Sequence, residues 1–261
     1  MNLYISNQDI VSLDISEINE LDYYSSKLCF IDHCIEDSKN SVNIKYGDSL
    51  YYDEKSDIYY LPADIDEYQR CFLYRVIMDC IQVRRGNLPI HAAAVTCGIN
   101  TVIIAAKPGR GKSYIADCIC NSNSGWSVVG DDHIIISKNH IQGNKKRRMR
   151  NIHGESIAYL NNTGIIKLQN IIFTCFELSS DENEMKYLSG SEAIQYFSEA
   201  TAFKYLNEIF VHNGRSYGPN IFFDLNGDYE RIFCNFIERN KVLSIRGPLP
   251  YAVDIISGLM K

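Results

Sequence analysis

The sequence lacks an apolar run of the roughly 18 residues that a helix needs to span a bilayer. Its first residues, MNLYISNQDI, lack the basic start and apolar core of a secretory signal. It also lacks an excess of basic residues, since the net charge is −6, whereas a general nucleic-acid binder would be basic. We therefore expect a cytoplasmic protein whose partners include neither a membrane nor a nucleic acid.

The nine cysteines include no CxxC pair, are odd in number and are scattered along the chain. This pattern argues against a disulfide framework and indicates a reduced protein in which most thiols are small buried groups. What is present is ordinary for a globular protein, with 261 residues, 46% apolar and 22% charged. Such a chain can bury a sizeable core, either in one domain with an annex or in one large and one small domain.

Residues 1–85 are expected to form a small, mainly β annex with a linking helix. The segments NLYIS, SLYYD and DIYYLP are rich in tyrosine and isoleucine and are separated by turn residues, which is typical of a small antiparallel sheet. Apolar residues then recur at helical spacing from Tyr68 to Ile81, and Gly86 ends the pattern. We expect this helix to span about 66 to 84.

Residues 86–261 are expected to form an α/β nucleotide-binding domain. LPIHAAAV and TVIIAA predict two strands joined at CGIN, and the second is continuously apolar, like a strand buried on both faces. KSYIADCIC predicts a short helix, WSVVG a further buried strand, and HIIIS an extended continuation. The order of strand, loop, helix, strand and acid is typical of a nucleotide-binding unit.

The remaining chain stays mixed. IIKLQNIIFTCFEL predicts a strand, and SGSEAIQYFSEATAFKYLNEIF predicts a helix that begins near Ser191. YERIFCNFIERNKVLSIRG and YAVDIISGLMK predict a strand and a closing helix.

The loop AKPGRGKS differs from the phosphate-binding pattern G-x-x-x-x-G-K-[ST] at its first position, which is Ala106. Gly109 and Gly111 permit positive φ and expose successive backbone N–H groups, and the following helix directs its positive end at an anion. Lys112 is expected to reach the β and γ phosphates, and Ser113 to ligate Mg²⁺. We expect the nucleotide to be bound by Lys107, Pro108, Gly109, Arg110, Gly111, Lys112, Ser113 and Tyr114.

Asp131 and Asp132 follow the apolar strand WSVVG, where burying an unpaired charge would be costly. One interpretation is a turn with an N-cap. The other is catalytic: one acid accepts a proton from an attacking hydroxyl, and the other organises a metal and its water. The place of the pair after the glycine-rich loop favours catalysis.

Residues 145–150, KKRRMR, are either a solvated surface or a mobile loop that meets phosphates or an acidic peptide. Their place between Asp132 and Glu155 favours the loop. Arg148 or Arg150 is then expected to stabilise charge on the transferring phosphoryl group, with Arg246 as the alternative.

LPIHAAAV, AKPGRGKS and GDD together resemble the nucleotide-binding core of the HPr kinase/phosphorylase family over about residues 86–160. The resemblance implies an HPr kinase-like P-loop core, ATP and Mg²⁺ as cofactors, Asp131 as the base that activates a serine hydroxyl, and Asp132 near the metal. It also implies Glu155 as a metal ligand. His91 is either a supporting catalytic residue or a hydrogen-bonded histidine packed behind the loop.

The longer bacterial members of that family use a Glu-Ile-Arg-Gly segment to recognise their carrier protein, and this chain has no counterpart in the matching place. The chain therefore resembles more closely the short peptide-tailoring kinases, such as lasso-peptide kinases, some of which phosphorylate a serine of a ribosomal precursor peptide. The resemblance implies a peptide or small-protein acceptor and leaves a homo-oligomer open, because the long relatives form hexamers. A non-catalytic nucleotide sensor and a nucleotide hydrolase are the alternatives.

Overall fold

The computed structural model describes residues 2–6, 9–13, 40–122, 125–144, 146–151, 154–159, 166–201, 210–217 and 226–259. These residues form a mixed α/β structure with several sheets and five helices. The helices are α1 (Glu67–Arg84), α2 (Lys112–Ser122), α3 (Gly190–Thr201), α4 (Asn226–Glu238) and α5 (Leu249–Gly258). Not one of these helices combines the length and apolar character that crossing a membrane requires.

The strands up to Asp131 are β1 (Asn2–Ser6), β2 (Asp9–Leu13), β3 (Asn40–Gly47), β4 (Tyr51–Asp53), β5 (Ile58–Pro62), β6 (Leu88–Ile90), β7 (Ala93–Cys97), β8 (Asn100–Ala105) and β9 (Trp126–Asp131). The later strands are β10 (Ile134–Ile136), β11 (His140–Gly143), β12 (Lys146–Asn151), β13 (Gly154–Tyr159), β14 (Ile166–Lys167), β15 (Asn170–Leu178), β16 (Glu184–Leu188), β17 (Phe210–His212), β18 (Arg215–Tyr217) and β19 (Lys241–Gly247).

The largest sheet has six strands in the order β16-β19-β15-β8-β7-β9. β8, β15 and β19 are parallel, and Ala105, Cys175 and Ser244 lie side by side across them. β7 is antiparallel to both β8 and β9, so β8 and β9 run in the same direction. The carboxyl ends of β8, β9, β15 and β19 therefore meet at one edge of the sheet.

This sheet is buried on both faces, as the continuous apolar run of β8 predicts. Val102 and Ile104 pack on the side of α2 and α5, whereas Ile103 and Ala105 pack in the larger core that contains α1, α3 and α4. The alternation follows from the pleat, which directs successive side chains to opposite faces. On the second face the rings of Phe173 and Phe197 meet edge to face, with centroids 5.0 Å apart.

The predicted strand LPIHAAAV is divided between two sheets. β6 belongs to a four-stranded sheet with the order β14-β11-β10-β6, whereas β7 belongs to the six-stranded sheet. His91 and Ala92 lie at the break, and Asp132 and His133 lie at the matching break between β9 and β10. The chain thus leaves one sheet for the other at the histidine and again at the second aspartate.

The two sheets approach each other closely where β9 and β11 cross. Gly130 and Gly143 meet at this crossing, and a Cβ atom on Gly130 would lie only 2.6 Å from the Cα of Gly143. Glycine at both positions removes the side chains that would hold the strands apart.

The helix expected over residues 66–84 is confirmed as α1. Asp66 is its N-cap and accepts a hydrogen bond from the backbone N–H of Gln69, whose side chain caps Asp66 in return. The expected antiparallel annex sheet is mixed: β1–β2 and β4–β5 are antiparallel pairs, but β3 pairs in parallel with both β2 and β5. The chain passes through edge strand β4 before it enters β5, which sets β5 parallel to β3.

The prediction of a strand beginning at YERIF is also wrong, since α4 occupies that stretch and only β19 is extended. Tyr229, Ile232, Phe233 and Ile237 are buried at helical spacing. The closing helix is confirmed as α5, and the helix near Ser191 as α3. Residues 202–209 of that predicted helix lie outside the described residues.

Free thiols are present at Cys80, Cys97, Cys118, Cys120, Cys175 and Cys234. Burial raises the pKa of Cys120 to about 11 and raises the pKa of Cys175 further, so both thiols are protonated at neutral pH. Cys175 is buried and fits the expected role of a small buried group, whereas Cys120 is half-buried.

Candidate functional site

The glycine-rich loop connects the end of β8 to the start of α2. Gly109 and Gly111 have φ values of +73° and +97°, which L side chains rarely adopt. The N–H of Arg110 donates to the carbonyl of Lys107 at 3.2 Å, closing the turn, and residues 107–110 are exposed. The loop therefore presents backbone N–H groups and the helix N-terminus to solvent, an arrangement that suits an anion.

Ala106, which replaces the first glycine of the pattern, fits its place without strain. It does not adopt a positive φ, and its methyl group is buried in the core between the sheet and α2. Its carbonyl oxygen accepts a hydrogen bond from Nζ of Lys112 at 3.0 Å. This contact fixes the lysine ammonium across the loop.

The first turn of α2 is hydrogen-bonded to the end of β9. The hydroxyl of Ser113 donates to Oδ1 of Asp131 at 2.7 Å, and Asp131 is only 4% exposed. This bond brings together two of the residues that the sequence analysis selected, although they lie 18 positions apart. A hydroxyl and a carboxylate at the helix start are oxygen ligands of the kind that Mg²⁺ prefers.

The backbone of Asp131 is held by Asn144, which was not among the predicted site residues. The N–H of Asp131 donates to Oδ1 of Asn144 at 2.9 Å, and Nδ2 of Asn144 donates to the carbonyl of Asp131 at 2.9 Å. Asn144 is fully buried and follows β11 directly after the glycine crossing. No local pattern in the sequence marks it, because its partner depends on how the two sheets cross.

The second acid is held by the histidine at the other sheet break. Nε2 of His91 lies 2.8 Å from Oδ1 of Asp132, and His91 is buried whereas Asp132 is 31% exposed. The φ of Asp132 is +106°, and its N–H donates to the carbonyl of Ala92 at 3.2 Å. A non-glycine residue in this region is strained, and such strain is concentrated at functional sites.

His91 is neutral in this environment. Burial is the largest influence and lowers its pKa, and the positive charges of Lys112 and Arg75 act in the same direction, while the hydrogen bond and charge of Asp132 oppose them. A neutral ring that donates from Nε2 gives Asp132 a fixed orientation.

A second buried pair lies behind the site. Nε2 of His133 is 2.8 Å from Oδ1 of Asp79, and both residues are buried. The pair joins the middle of α1 to the residue that follows Asp132. The sequence contains a signal for this pair. Asp79 lies on the apolar face of α1, and a carboxylate buried there needs a partner.

The basic run and Glu155 stay predictions as parts of this site, because only the backbone of these residues is described. Lys146–Asn151 forms β12, a strand and not the expected mobile loop, and it pairs with β13 so that Arg150 lies opposite Glu155. The side chains of Arg148, Arg150 and Glu155 lie outside the described residues. Arg246 is at the other side of the loop, at the end of β19, and binds Glu182 at 2.9 Å.

The residues around the loop fit a magnesium nucleotide. In the described part of the chain, no group of three histidine, cysteine or acidic residues could hold a metal ion by itself. Mg²⁺ needs fewer protein ligands, since it keeps several waters and binds through one or two carboxylates together with phosphate oxygens. Ser113 and Asp131 supply such ligands beside the exposed N–H groups of the loop.

No protein-family model matches the chain, and no curated protein matches it. Among solved structures, the HPr(Ser) kinase/phosphatase of Coxiella burnetii is similar over 66% of this chain and 92% of its own, with 13% sequence identity and a TM-score of 0.24. A likeness this low carries no weight in assigning an activity. The function therefore has to be inferred from the site itself.

Proposed function

We propose that the protein is an ATP- and Mg²⁺-dependent kinase that transfers the γ-phosphate to a serine hydroxyl of a peptide or small protein. The observation that carries this proposal is the hydrogen bond between Ser113 and Asp131. It joins the glycine-rich loop and the start of α2 to an acid at the end of β9. Kinases and ATPases that use such a loop require these parts, a phosphate cradle and a strand-end acid, at adjoining positions.

The phosphate cradle consists of the loop residues 107–111 and the first residues of α2. Gly109 is open to solvent and Gly111 packs against Leu249, both with positive φ, which lets the loop backbone turn toward the phosphates, and Lys112 adds a charge at the base of the loop. Tyr114 is exposed on the first turn of α2, where it can contact the nucleotide. ATP supplies the phosphoryl group.

Ser113 and Asp131 would hold Mg²⁺. Their hydrogen bond supports Asp131 as the acid on the metal side, a role that the family resemblance gives to Asp132. When bound, the ion neutralises negative charge on the phosphates during transfer. Glu155 as a further ligand stays a prediction from the sequence.

Asp132 is then the general base, with His91 as its positioning residue. The carboxylate accepts the proton of the serine hydroxyl while a bond forms between the serine oxygen and the γ-phosphorus. The bond from that phosphorus to the leaving oxygen of ADP breaks in the same step. The partial exposure of Asp132 supports this role, since the base must meet the acceptor.

Several finer parts of the proposal rest on the sequence alone. They include Arg148 as the residue that stabilises charge on the transferring group, the division into residues 1–85 and 86–261, and a cytoplasmic location. They also include a ribosomal precursor peptide as the acceptor and assembly into a homo-oligomer.

The proposal is tested by incubating the protein with γ-labelled ATP, Mg²⁺ and serine-containing peptides, including any precursor peptide encoded beside its gene. We expect label on serine, with none after Lys112→Ala. ATP binding without label on any acceptor would favour a nucleotide sensor. Free phosphate released without an acceptor, at rates of roughly 1 per second or more, would favour a hydrolase.

A further inference from the structure

A cavity of about 380 Å³ lies against the glycine-rich loop. Its walls come from the loop, the carboxyl ends of β15 and β19, and the exposed side of α3. The residues that line it are Lys107, Arg110, Cys175, Phe176, Glu177, Leu178, Gln195, Tyr196, Glu199 and Ser244. Its volume lies within the ~300–1,000 Å³ of small-molecule sites. Among the described residues of its lining, Lys107 and Arg110 belong to the phosphate cradle, and Lys112, Asp131, Asp132 and His91 are absent.

The cavity and the two acids lie on opposite sides of the loop. In the six-stranded sheet, β7 and β9 follow β8 on one side, and β15 and β19 follow it on the other. Ala93 of β7 pairs with Asp131 on one side and with Ile104 of β8 on the other. Cys175 of β15 pairs with Ala105 of β8 and with Ser244 of β19. Acids, loop and cavity therefore follow one another along a single edge of the sheet.

This order determines where the rest of the nucleotide belongs. In phosphoryl transfer, the attacking and leaving oxygens lie roughly in line through the phosphorus. The base has to be beside the attacking hydroxyl, which places the acceptor on the side of Asp132. The leaving diphosphate and its nucleoside then extend to the opposite side, toward β15 and β19.

The chemistry of the cavity suits a nucleoside. Tyr196 is 39% exposed and offers an aromatic ring for stacking with a base. Gln195 carries both a donor and an acceptor, and its amide donates to Glu199 at 3.1 Å, which fixes both groups on the wall of α3. Carboxylates such as Glu199 and Glu177 are suited to the hydroxyls of a ribose.

The charges of the cavity lining agree with phosphates at the loop and a nucleoside beyond it. Lys107 and Arg110, the two cationic residues of the lining, belong to the loop, where the phosphates would lie, while the acidic residues belong to β15 and α3. We infer that this cavity binds the base and ribose of the donor nucleotide, an inference that rests on the proposed function. Tyr196 and Gln195 are its specificity-determining residues.

The inference is tested by calorimetric titration of the protein with Mg-ADP and with inorganic tripolyphosphate, which has no nucleoside. Tyr196→Ala is expected to weaken ADP binding about tenfold, the order of magnitude of base–aromatic stacking, and to change tripolyphosphate binding by less than about twofold. Gln195→Ala should act in the same direction. Tyr187→Ala is the matched control, because Tyr187 is also an exposed tyrosine, at 57%, and is not among the described residues that line the cavity.

Two failures can be told apart. If the wild type binds neither ligand, or Lys112→Ala binds both as well as the wild type does, the phosphate site and the proposed function are refuted together with the inference. If binding depends on Lys112 but Tyr196→Ala and Gln195→Ala leave the ADP to tripolyphosphate ratio unchanged, only the inference is overturned. If Tyr196→Ala or Gln195→Ala raised only the KM of the acceptor peptide, the inference would also be overturned, because the cavity would then hold the acceptor.

Discussion

Ser113 and Asp131 are joined by a 2.7 Å hydrogen bond, while the neighbouring Asp132 turns away to His91, 2.8 Å from its carboxylate. The positive φ of Asp132 makes this divergence possible, because it changes the direction of the chain between the two acids. Adjacent aspartates therefore occupy two environments, one beside the loop and one beside a neutral histidine. Different environments are what allow two carboxylates to take different tasks.

Asp132→Asn is expected to lower phosphoryl transfer by roughly 10²–10⁴-fold, because the amide cannot accept the hydroxyl proton. ADP binding and the Mg²⁺ requirement should remain as in the wild type. Single-turnover transfer from γ-labelled ATP measures the first effect, and titration with ADP the second. Asp254→Asn, which changes an exposed carboxylate on α5, is the matched control. Transfer at the wild-type rate in Asp132→Asn would show that Asp132 is not the general base.

Asp131→Asn is expected to raise the Mg²⁺ concentration for half-maximal transfer by roughly ten- to a hundredfold, the usual effect of weakening one metal-binding group. Ser113→Ala should shift the same quantity in the same direction, since the two side chains share one hydrogen bond. Transfer rates measured against Mg²⁺ concentration give the result. If Asp132→Asn shifted the Mg²⁺ requirement and Asp131→Asn did not, the two roles would have to be exchanged.

The elements around the loop could be predicted because their signals are local. The apolar run of β8, the glycines of the loop and the periodicity of α2 each concern residues adjacent in sequence. The same holds for α1, where capping and periodicity agree. Selecting Ser113 and Asp131 needed only this order of elements.

The breaks between the sheets could not be predicted, since they depend on pairing between distant strands. Ile90 pairs with Ile134 and Ala93 with Asp131, so a single apolar run is divided between two sheets. Nothing in LPIHAAAV marks that change. The same limit applies to Asn144 and to the cavity at α3, both of which exist only once distant elements have packed.

The buried ring of His91 should make the stability of the protein depend on pH. Its pKa is lowered in the folded state, so below the ordinary value of about 6.5 the unfolded chain binds the proton more readily. The free energy of unfolding should therefore fall as the pH drops from about 6.5 toward the lower folded-state pKa, by at most about 1.4 kcal/mol per pH unit from this residue. Asp132, Lys112 and Arg75 are the charged groups that influence it.

His91→Gln should remove this part of the pH dependence, while the difference between wild type and variant at pH 8 reflects lost packing and hydrogen bonding. Denaturant midpoints at pH 8, 6.5 and 5.5 give the comparison, and His140→Gln, at a less buried ring, is the control. A wild-type to variant difference that stays constant over this range would contradict the prediction.

The close contact between β9 and β11 can be tested by adding one methyl group at Gly143. A Cβ atom on Gly143 would lie 2.7 Å from the backbone N of Gly130 and would also overlap the carbonyl of Val129, and these backbone atoms belong to the strand that carries Asp131. We expect Gly143→Ala to lower the free energy of unfolding by at least about 2 kcal/mol, as overpacking of a core does. Because Asn144 follows and clamps Asp131, transfer should fall as well.

Gly227→Ala is the matched control, because no atom lies within 4 Å of a Cβ there and the residue is in the first turn of α4. It should raise the free energy of unfolding by about 0.5–1 kcal/mol, since alanine restricts the unfolded chain and suits a helix. Denaturant unfolding of both variants, analysed with a common dependence of the unfolding free energy on denaturant concentration, gives the two changes in stability. Equal midpoints for Gly143→Ala and Gly227→Ala would mean that β9 and β11 are not in contact at their glycines, and the position of Asp131 would lose its structural basis.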